Sequence, residues 1–579
     1  MKWIIRVNMR NGKIDKCTAT EEEKYWGGRL LIAKLLLREV PPTCEPLGRY
    51  NKLIFSSGLI ADTSITTTGK LSIGGKSPLT GGVKENNVGG SAGKKLAKLR
   101  IRALVIEDTP KNLSTKVLVL AVNKIELINA PELKGKKVGE SIDIIRKKFG
   151  LNVGIICIGP AGEMKLYGSG IAVTDEKDIQ IRYAARGGLG ALMGSKGLKA
   201  IIVDDIGITG IEKAKYFDSE LLRKTGKEII QYLKKDPKTK NRNMFGTPAI
   251  MEAANELGLL PTRNFSSGSF EDIQNITGER VREVILKRDG VGRTGHFCVK
   301  GCAIQCCNVF PDTEGKKIVA SLQYENIALL GPNCGIGNLD DIAEMNNLCN
   351  QVGVDTIETG AAIGVLMESG EITFGDAEAA KDIIHQIGKG TYIGRIIGNG
   401  TKLTGQVFGA KRIPVIKGQA IPGYDPRALK GNGITYFTSP MGADHTAGNT
   451  FGTAGNINPL SGKGQIESSK KLQLRVALLD TYGLCLFVRP PFVKHPEFYI
   501  SLLKGRYGWQ LDLKGVKNIA EDVLRTEREF NKKAGVSEEF WSFPEFMREE
   551  PLPPNDTVFD ISREEMKRIW DVKIPDNEF

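Results

Sequence analysis

The stretch HFCVKGCAIQCC, His296 to Cys307, constrains this chain more than any other. Four of the ten cysteines fall within those twelve residues. Cys298, Cys302 and Cys306 are spaced C-x3-C-x3-C, and Cys307 follows directly. A cubane iron–sulfur cluster needs four thiolates, commonly three from one local run and one from far away. The fold must therefore close a long loop to bring a distant cysteine back. Structural zinc favours C-x2-C pairs, often twice, or histidines at set spacings. No second pair follows here, and His296 stands in front of the run. A radical-type cluster on S-adenosylmethionine would use C-x3-C-x2-C, which neither triplet of the run provides. Zinc and plain core packing are thus the weaker readings.

The other cysteines are Cys17, Cys44, Cys157, Cys334, Cys349 and Cys485. Cys485, in DTYGLCLFVRPP, is preceded by Gly483 and followed by an apolar run. Backbone amides can approach a cluster sulfide in such a setting. Cys157 sits in the buried-strand pattern VGIICIG and Cys349 in a helical apolar stripe, so both read as core residues.

This assignment needs a reducing compartment. The opening MKWIIRVNMRNGKID lacks the apolar core and cleavage site of a secretory signal. No run approaches the ~18 apolar residues of a membrane-crossing helix. A cytoplasmic location, with reduced thiols and no membrane span, is expected. The opening reads as a strand, KWIIRVNM, and a turn at Asn11-Gly12. The 579 residues exceed one ordinary domain, and 41% hydrophobic with 26% charged residues suits a globular chain. A net charge of +14 attracts acidic partners. The basic residues are interleaved with acidic ones and form no nucleic-acid platform, so an acidic electron carrier or subunit is expected and nucleic acid is not.

Texture divides the chain. Residues 1–208 alternate short β-branched runs with turn signals (KLIFSSG, ALVIED, KVLVLAV, VGIICIG, KAIIVDD) and read as a β-rich domain. Residues 209–411 carry apolar residues at helical spacing, as in NLDDIAEMNNLCNQVG, with Asn338 or Asp340 as the cap. Residues 412–579 open on a Pro/Gly-rich stretch and form a third, mostly helical unit. The tail from Pro551 is expected to wrap the surface. Within the first unit, SIGGKSPLTGG, ENNVGGSAG and ARGGLGALMGSKGLKAI bring many glycines into loops, where backbone N–H groups can meet phosphate. None is a Walker motif. Three such loops in one domain, with Lys76 and Arg186 among them, point to a large anionic cofactor.

In shared order and spacing, SPLTGG, NNVGG, RGGLGALMGSKGLKAI, the cysteine run, YEN, LDDIAEMNNLCNQVGVDTIETG, GYDPRALKGNGITYFTSPMGADHTAGN and DTYGLC resemble the tungsten-containing aldehyde:ferredoxin oxidoreductase family. The resemblance runs from Gly28-Arg29 to Pro491. It implies an α+β fold in which a β-rich N-terminal domain forms a base for a bis-pterin cofactor, followed by two mostly α-helical domains. The cofactor would be two molybdopterin dithiolenes on one tungsten or molybdenum, with magnesium bridging their phosphates and one [4Fe-4S] cluster beside them. The family's cluster cysteines form C-x2-C-x3-C plus the Cys of D-x2-G-L-C. They match Cys298, Cys302, Cys306 and Cys485 here. The first spacing is one residue longer, which leaves Cys306 and Cys307 competing for one position, with Cys306 preferred.

The resemblance also implies pterin contacts. The signature D-x2-G-L-[DC] is complete at Asp480, Gly483, Leu484 and Cys485. At Asn350, Gly353 and Asp355 its leading Asp is replaced by Asn, which weakens the contact to a pterin amine. Arg186 and Lys76 match positions near the phosphates. Where Lys76 stands, the family often carries Arg, so a bidentate contact becomes a point charge. Asn87 and the Gly187 carbonyl, in a turn with Gly188, match magnesium ligands. Glu325 is expected near the metal as general base and His445 as donor to the reacting oxygen, with Asp444 orienting His445.

The implied activity is oxidation of aldehydes to acids, with electrons leaving to ferredoxin or a polyferredoxin-like subunit in a homo-oligomer or a heteromeric complex. The alternative on the same scaffold is a low-potential reduction of an activated acid or aromatic thioester within a larger complex. Some members share an interfacial iron held by Glu and His. Glu344 and His385 are the nearest candidates here, and that iron is not expected.

Overall fold

A computed structural model describes residues 2–112, 114–175, 180–208, 215–539 and 541–579. The first sheet contains β1 (Trp3–Asn8), β2 (Ile14–Thr18), β3 (Leu53–Ser57), β4 (Leu71–Lys76), β5 (Val83–Val88) and β6 (Ile101–Glu107), in the order β2-β1-β6-β3-β4-β5. The second contains β7 (Lys116–Leu120), β8 (Ile125–Asn129), β9 (Gly154–Cys157), β10 (Ile171–Thr174), β11 (Ile181–Ala184) and β12 (Leu198–Val203), in the order β11-β10-β9-β12-β7-β8. Pairing is antiparallel except for β1 with β6 and β12 with β7.

The central strands read as unbroken apolar runs because both of their faces are covered. Alternate residues go to different cores. Ile5, Phe55 and Leu104 meet Leu118, Ile156 and Ile201 between the two sheets. Ile4, Ile54 and Val105 point the other way. They pack with Leu30 and Leu35 of α1 (Gly28–Glu39) and with residues from far along the chain. The outer face of the second sheet is covered by Ile142 and Ile145.

The strand pattern ends near residue 208. The boundary expected there abuts residues 209–214, which lie outside the described ones. Beyond it come α2 (Pro237–Phe245), a three-stranded sheet of β13 (Arg293–His296), β14 (Cys307–Pro311) and β15 (Lys317–Val319), then α3 (Tyr324–Leu330), α4 (Leu339–Val352) and α5 (Thr356–Glu368). The small sheet frames the cysteine run. It was not legible as strands, because its members are only three to five residues long. Asn338 caps α4, its Oδ1 accepting from the N–H groups of Asp340 and Asp341 at 2.8 and 3.2 Å.

The C-terminal third adds α6 (Gln465–Tyr482), α7 (Arg489–Lys494) and α8 (Leu513–Lys533). Leu474, Leu478 and Val523 return to the core beneath α1, so the last helices rest on the first sheet. The tail expected on the surface is partly interior: Phe559, Met566 and Ile569 are fully buried and Phe579 nearly so. Its apolar residues are spaced between prolines and charges, which hid them from a periodicity reading.

Candidate active site

Between the first domain and the helices lies a cavity of about 540 Å³. Residues from Arg29 to Arg489 line it, so distant parts of the chain build it together. At one wall stands a carboxylate–imidazole pair. Glu325, in the first turn of α3, and His445, in the GADH loop, approach within 3.3 Å (Oε1 to Nδ1). Neither of these two buried atoms makes a hydrogen bond among the described residues. The Gly423 N–H donates to the other Glu325 oxygen at 2.8 Å, which fixes the side chain and leaves Oε1 toward the cavity. Burial pushes the Glu325 carboxyl above its ordinary range, against the pull of His445. The Tyr424 ring lies 5.7 Å from the His445 ring.

Asp444 does not touch the His445 ring. Its Oδ1 accepts from the N–H and hydroxyl of Thr446, at 2.9 and 2.6 Å, and its Oδ2 pairs with the fully buried Lys84. Burial opposes the Asp444 charge, but Lys84 and Arg186 overcome it and hold the carboxyl well below its ordinary range. Asp444 therefore anchors the loop that carries His445.

The cysteines gather behind another part of the lining, to which Cys485 belongs. Cys298, Cys302, Cys306 and Cys307 are all buried. The accessible part of Cys485 faces the cavity. Burial raises the Cys302 thiol to about 12, with Cys298 and Cys485 near enough to add to it. No three His, Cys, Asp or Glu side chains among the described residues converge on one point. Cys302 feels both Cys298 and Cys485, so thiols from distant parts of the sequence share one neighbourhood. Cys485 is set by its turn. Gly483 ends α6 in the left-handed region (φ +76°), and its N–H and Cα lie where a Cβ on Gly58 would sit, 2.1–2.2 Å away. The Leu59 and Ile60 N–H groups donate to the Thr481 and Tyr482 carbonyls at 3.0 and 3.3 Å.

Two cations stand between the thiols and the cavity. Burial disfavours the Lys70 ammonium, but Cys298 and Cys485 hold its proton on. Burial likewise opposes the Arg182 charge, and Cys307 and Cys298 outweigh it. An Arg182 nitrogen lies 3.9 Å from the Cys307 sulfur. Sequence reasoning missed both residues. The available signal was a charged residue inside the otherwise apolar-facing strand β11, and a lysine one residue before β4.

Of the expected cofactor residues, Asn87, Arg186, Asn350, Asp355 and Asp480 line the cavity. Lys76 does not. Its ammonium donates to the Pro42 and Cys44 carbonyls at the far end of β4, at 2.5 and 2.7 Å. Arg186 is largely committed to protein. It donates to Asp355 at 3.2 Å and to the Ala443 and Ala420 carbonyls at 2.5 and 2.6 Å. Asp355 also caps α5 through Ile357. Gly187 and Gly188 both have positive φ (+78° and +75°), and a Cβ on Gly187 would meet the Lys84 side chain at 2.5 Å. The Gly187 carbonyl accepts from Ser77 at 2.8 Å. Gly353 ends α4 at φ +83°. Leu484 is fully buried.

The donor set fits a pterin. Asn87 Nδ2 and Glu85 Oε1 are buried polar atoms of residues that line the cavity, without a hydrogen-bond partner among the described residues. Burial, then Asp480, pushes the Glu85 carboxyl well up. Arg29 holds the pocket floor, donating to both oxygens of Glu527 at 2.8 Å and lying 3.4 Å from Asp480. Buried carboxyls with a free oxygen match the N–H edge of a pterin ring. Elsewhere, Glu344 and His385 line one surface cavity, where the Lys381 ammonium sits 3.0 Å from Glu344 and 3.1 Å from Asp341.

Comparison with known proteins agrees with this architecture. Residues 4–205 match the family model "Aldehyde ferredoxin oxidoreductase, N-terminal domain", and residues 224–570 match that of "domains 2 & 3". The chain is 31% identical to the tungsten-containing aldehyde ferredoxin oxidoreductase of Pyrococcus furiosus, over 95% of this chain and 91% of that protein. It is 26% identical to the aliphatic sulfonate oxidoreductase WOR-like subunit of the same organism, over 86% and 80%. Among solved structures, the active-site complex BamBC of benzoyl coenzyme A reductase with 1,5-dienoyl-CoA superposes with a TM-score of 0.78 at 19% identity, covering 98% of this chain and 93% of that one. With both family models matched and 31% identity across nearly its whole length, this chain belongs to the aldehyde ferredoxin oxidoreductase family.

Proposed function

We propose that this protein oxidises aldehydes to carboxylic acids at a tungsten or molybdenum bis-pterin centre in the cytoplasm. The observation that carries this reading is the Glu325–His445 pair, two residues that line one cavity and whose facing atoms, 3.3 Å apart, are buried without a hydrogen bond among the described residues. Asp480, Asn350, Asn87 and Glu85 would hold the pterins, with the turn of Gly187 and Gly188 and magnesium at their phosphates. Cys298, Cys302, Cys306 and Cys485 would hold a [4Fe-4S] cluster. When bound, the metal centre supplies a two-electron acceptor for the substrate.

The chain's own residues supply the proton chemistry. Conversion of an aldehyde and a water to an acid releases two electrons and two protons. Glu325 Oε1 accepts a proton from the water, its raised pKa making it a stronger base than an exposed carboxylate. His445 donates an N–H to the carbonyl oxygen as charge grows there, with its ring plane supported by Tyr424. Lys70 and Arg182, near the thiols, would offset negative charge on a cluster bound there. The acceptor of the two electrons would be ferredoxin or an iron–sulfur subunit, whose acidity would suit the +14 chain. The test is reduction of a low-potential dye by anaerobically purified protein across a panel of aldehydes, with metal analysis alongside. Tungsten or molybdenum with about four iron per chain and turnover of at least one aldehyde is expected. Zinc alone, or no aldehyde turned over, overturns it.

A further inference from the structure

Beyond the pair at the reacting wall, the cavity has a cationic end whose residues no step above uses. Lys238 and Arg242 come from α2 and Arg489 opens α7; all three line the cavity. The Nη1 atoms of Arg242 and Arg489 are buried and donate to nothing among the described residues. Arg242 lies over the Phe487 ring, 4.6 Å from its centroid, which fixes the guanidinium plane. Burial, then Arg242 and Arg475, lowers the Arg489 pKa to about 10, and the groups opposing this are Tyr499 and Cys485 rather than a carboxylate. Four of the five carboxylates that line the cavity lie nearest other cations, Asp355 by Arg186, Asp444 by Lys84, Asp480 by Arg29 and Glu325 by His445, and among the described residues none, Glu85 included, forms an ion pair with Arg242 or Arg489. Guanidiniums that are half-buried, with one nitrogen fully enclosed and no anion beside it, are costly, and they persist in binding sites where a ligand brings the charge.

The two ends are linked by one ring. Tyr424, whose ring lies 5.7 Å from that of His445, lines the same cavity as Glu325, Arg242 and Arg489 and is near enough to all three to feel their charges. A small molecule in this one cavity can therefore meet the guanidiniums as well as the carboxylate–imidazole pair.

We propose that Arg242 and Arg489, assisted by Lys238, bind an anionic group, a carboxylate or phosphate, at the end of the substrate remote from its reacting carbon. This deepens the aldehyde reading and rests on the same cavity being the substrate site. It makes the preferred substrates short aldehydes with a second, charged end.

The test compares two probes of equal length on the holoenzyme by calorimetry. Glutarate carries the extra carboxylate and pentanoate does not. Glutarate should bind at least tenfold more tightly than pentanoate. Arg489→Gln and Arg242→Gln, assayed separately so that one misfolded variant does not decide the matter, should remove that preference. Both should keep wild-type tungsten, pterin and iron contents and leave pentanoate binding unchanged. Equal binding of the two probes overturns the proposal. So does loss of pterin from the variants, which would assign the guanidiniums to cofactor phosphates. A shifted cluster potential with glutarate binding intact also overturns it, because the cations would then serve the cluster. Absence of all aldehyde turnover would sink the aldehyde reading while leaving the glutarate preference standing.

Discussion

At the scale of single residues, burial decides chemistry. Glu325 titrates above the ordinary carboxylate range because its surroundings disfavour charge. As a proton acceptor it works only when ionised, so kcat should fall as pH drops through that raised value. Glu325→Gln should reduce kcat by about 10²- to 10⁴-fold with metal content intact, and should flatten the acid limb of the pH–rate profile. An acid limb that survives in Glu325→Gln would assign the proton to another group. The two lysines near β4 make a second contrast. The strand's six residues set Lys70 and Lys76 at opposite ends, about 20 Å apart. Lys70→Met should make the cluster harder to reduce, read as a more negative midpoint potential by EPR titration. Lys76→Met should leave that potential unchanged. The glycine-rich SIGGK motif drew attention to Lys76, whereas the lysine facing the cavity precedes it in an unremarked TTTGK.

At the scale of elements, the sequence conveyed periodicity better than proximity. The doubly buried strands of the first domain were visible as apolar runs, and α4 as a helical stripe with its Asn338 cap. The cysteine run and DTYGLC are expected to share a site, and the fold sets Cys485 near enough to Cys298 and Cys302 for the thiols to act on one another. What could not be read was which surfaces meet. Nothing in KLIFSSGL says that Gly58 touches Gly483, yet that contact sets the position of Cys485. Gly58→Ala would drive a Cβ into the backbone of that turn. The expected cost is about 1–3 kcal/mol or more, as for overpacking generally. The diagnostic readout is iron per chain, which should fall with the melting temperature. Full iron retention in Gly58→Ala would mean that the turn tolerates displacement. Asp444 shows the same limit. Its adjacency to His445 suggested direct orientation, while the fold turns its carboxylate to Lys84.

At the scale of the whole molecule, N- and C-terminal segments are locked by charge inside the protein. Arg29 of α1 meets Glu527 of α8 across 498 positions of sequence, both side chains nearly inaccessible. Arg29→Ala would leave Glu527 and Asp480 buried without their cation. Breaking such a pair costs about 3–5 kcal/mol, visible as a lower denaturant midpoint; a loss below about 1 kcal/mol would show that water reaches the pair. A milder acid sensitivity comes from the rim. Glu39, bonded to Arg6, Lys52 and Arg38, is lowered from 4.5 to about 2. The sign is that of a depressed acid: its contribution is complete above pH 4.5 and disappears as pH falls toward 2. Linkage gives up to about 3 kcal/mol, and solvent screening of this half-buried group reduces that to roughly 1 kcal/mol. Acid unfolding of Glu39→Gln against the parent measures it.

The cavity walls run from Arg29 to Arg489. A chain emerging from the ribosome therefore has nowhere to lay a pterin until nearly all of it has been made. The α8 helix that closes over α1 is translated later still. On the proposed bis-pterin reading, loading of the cofactor would follow translation and would precede, or transiently reopen, the closing of α8 over α1.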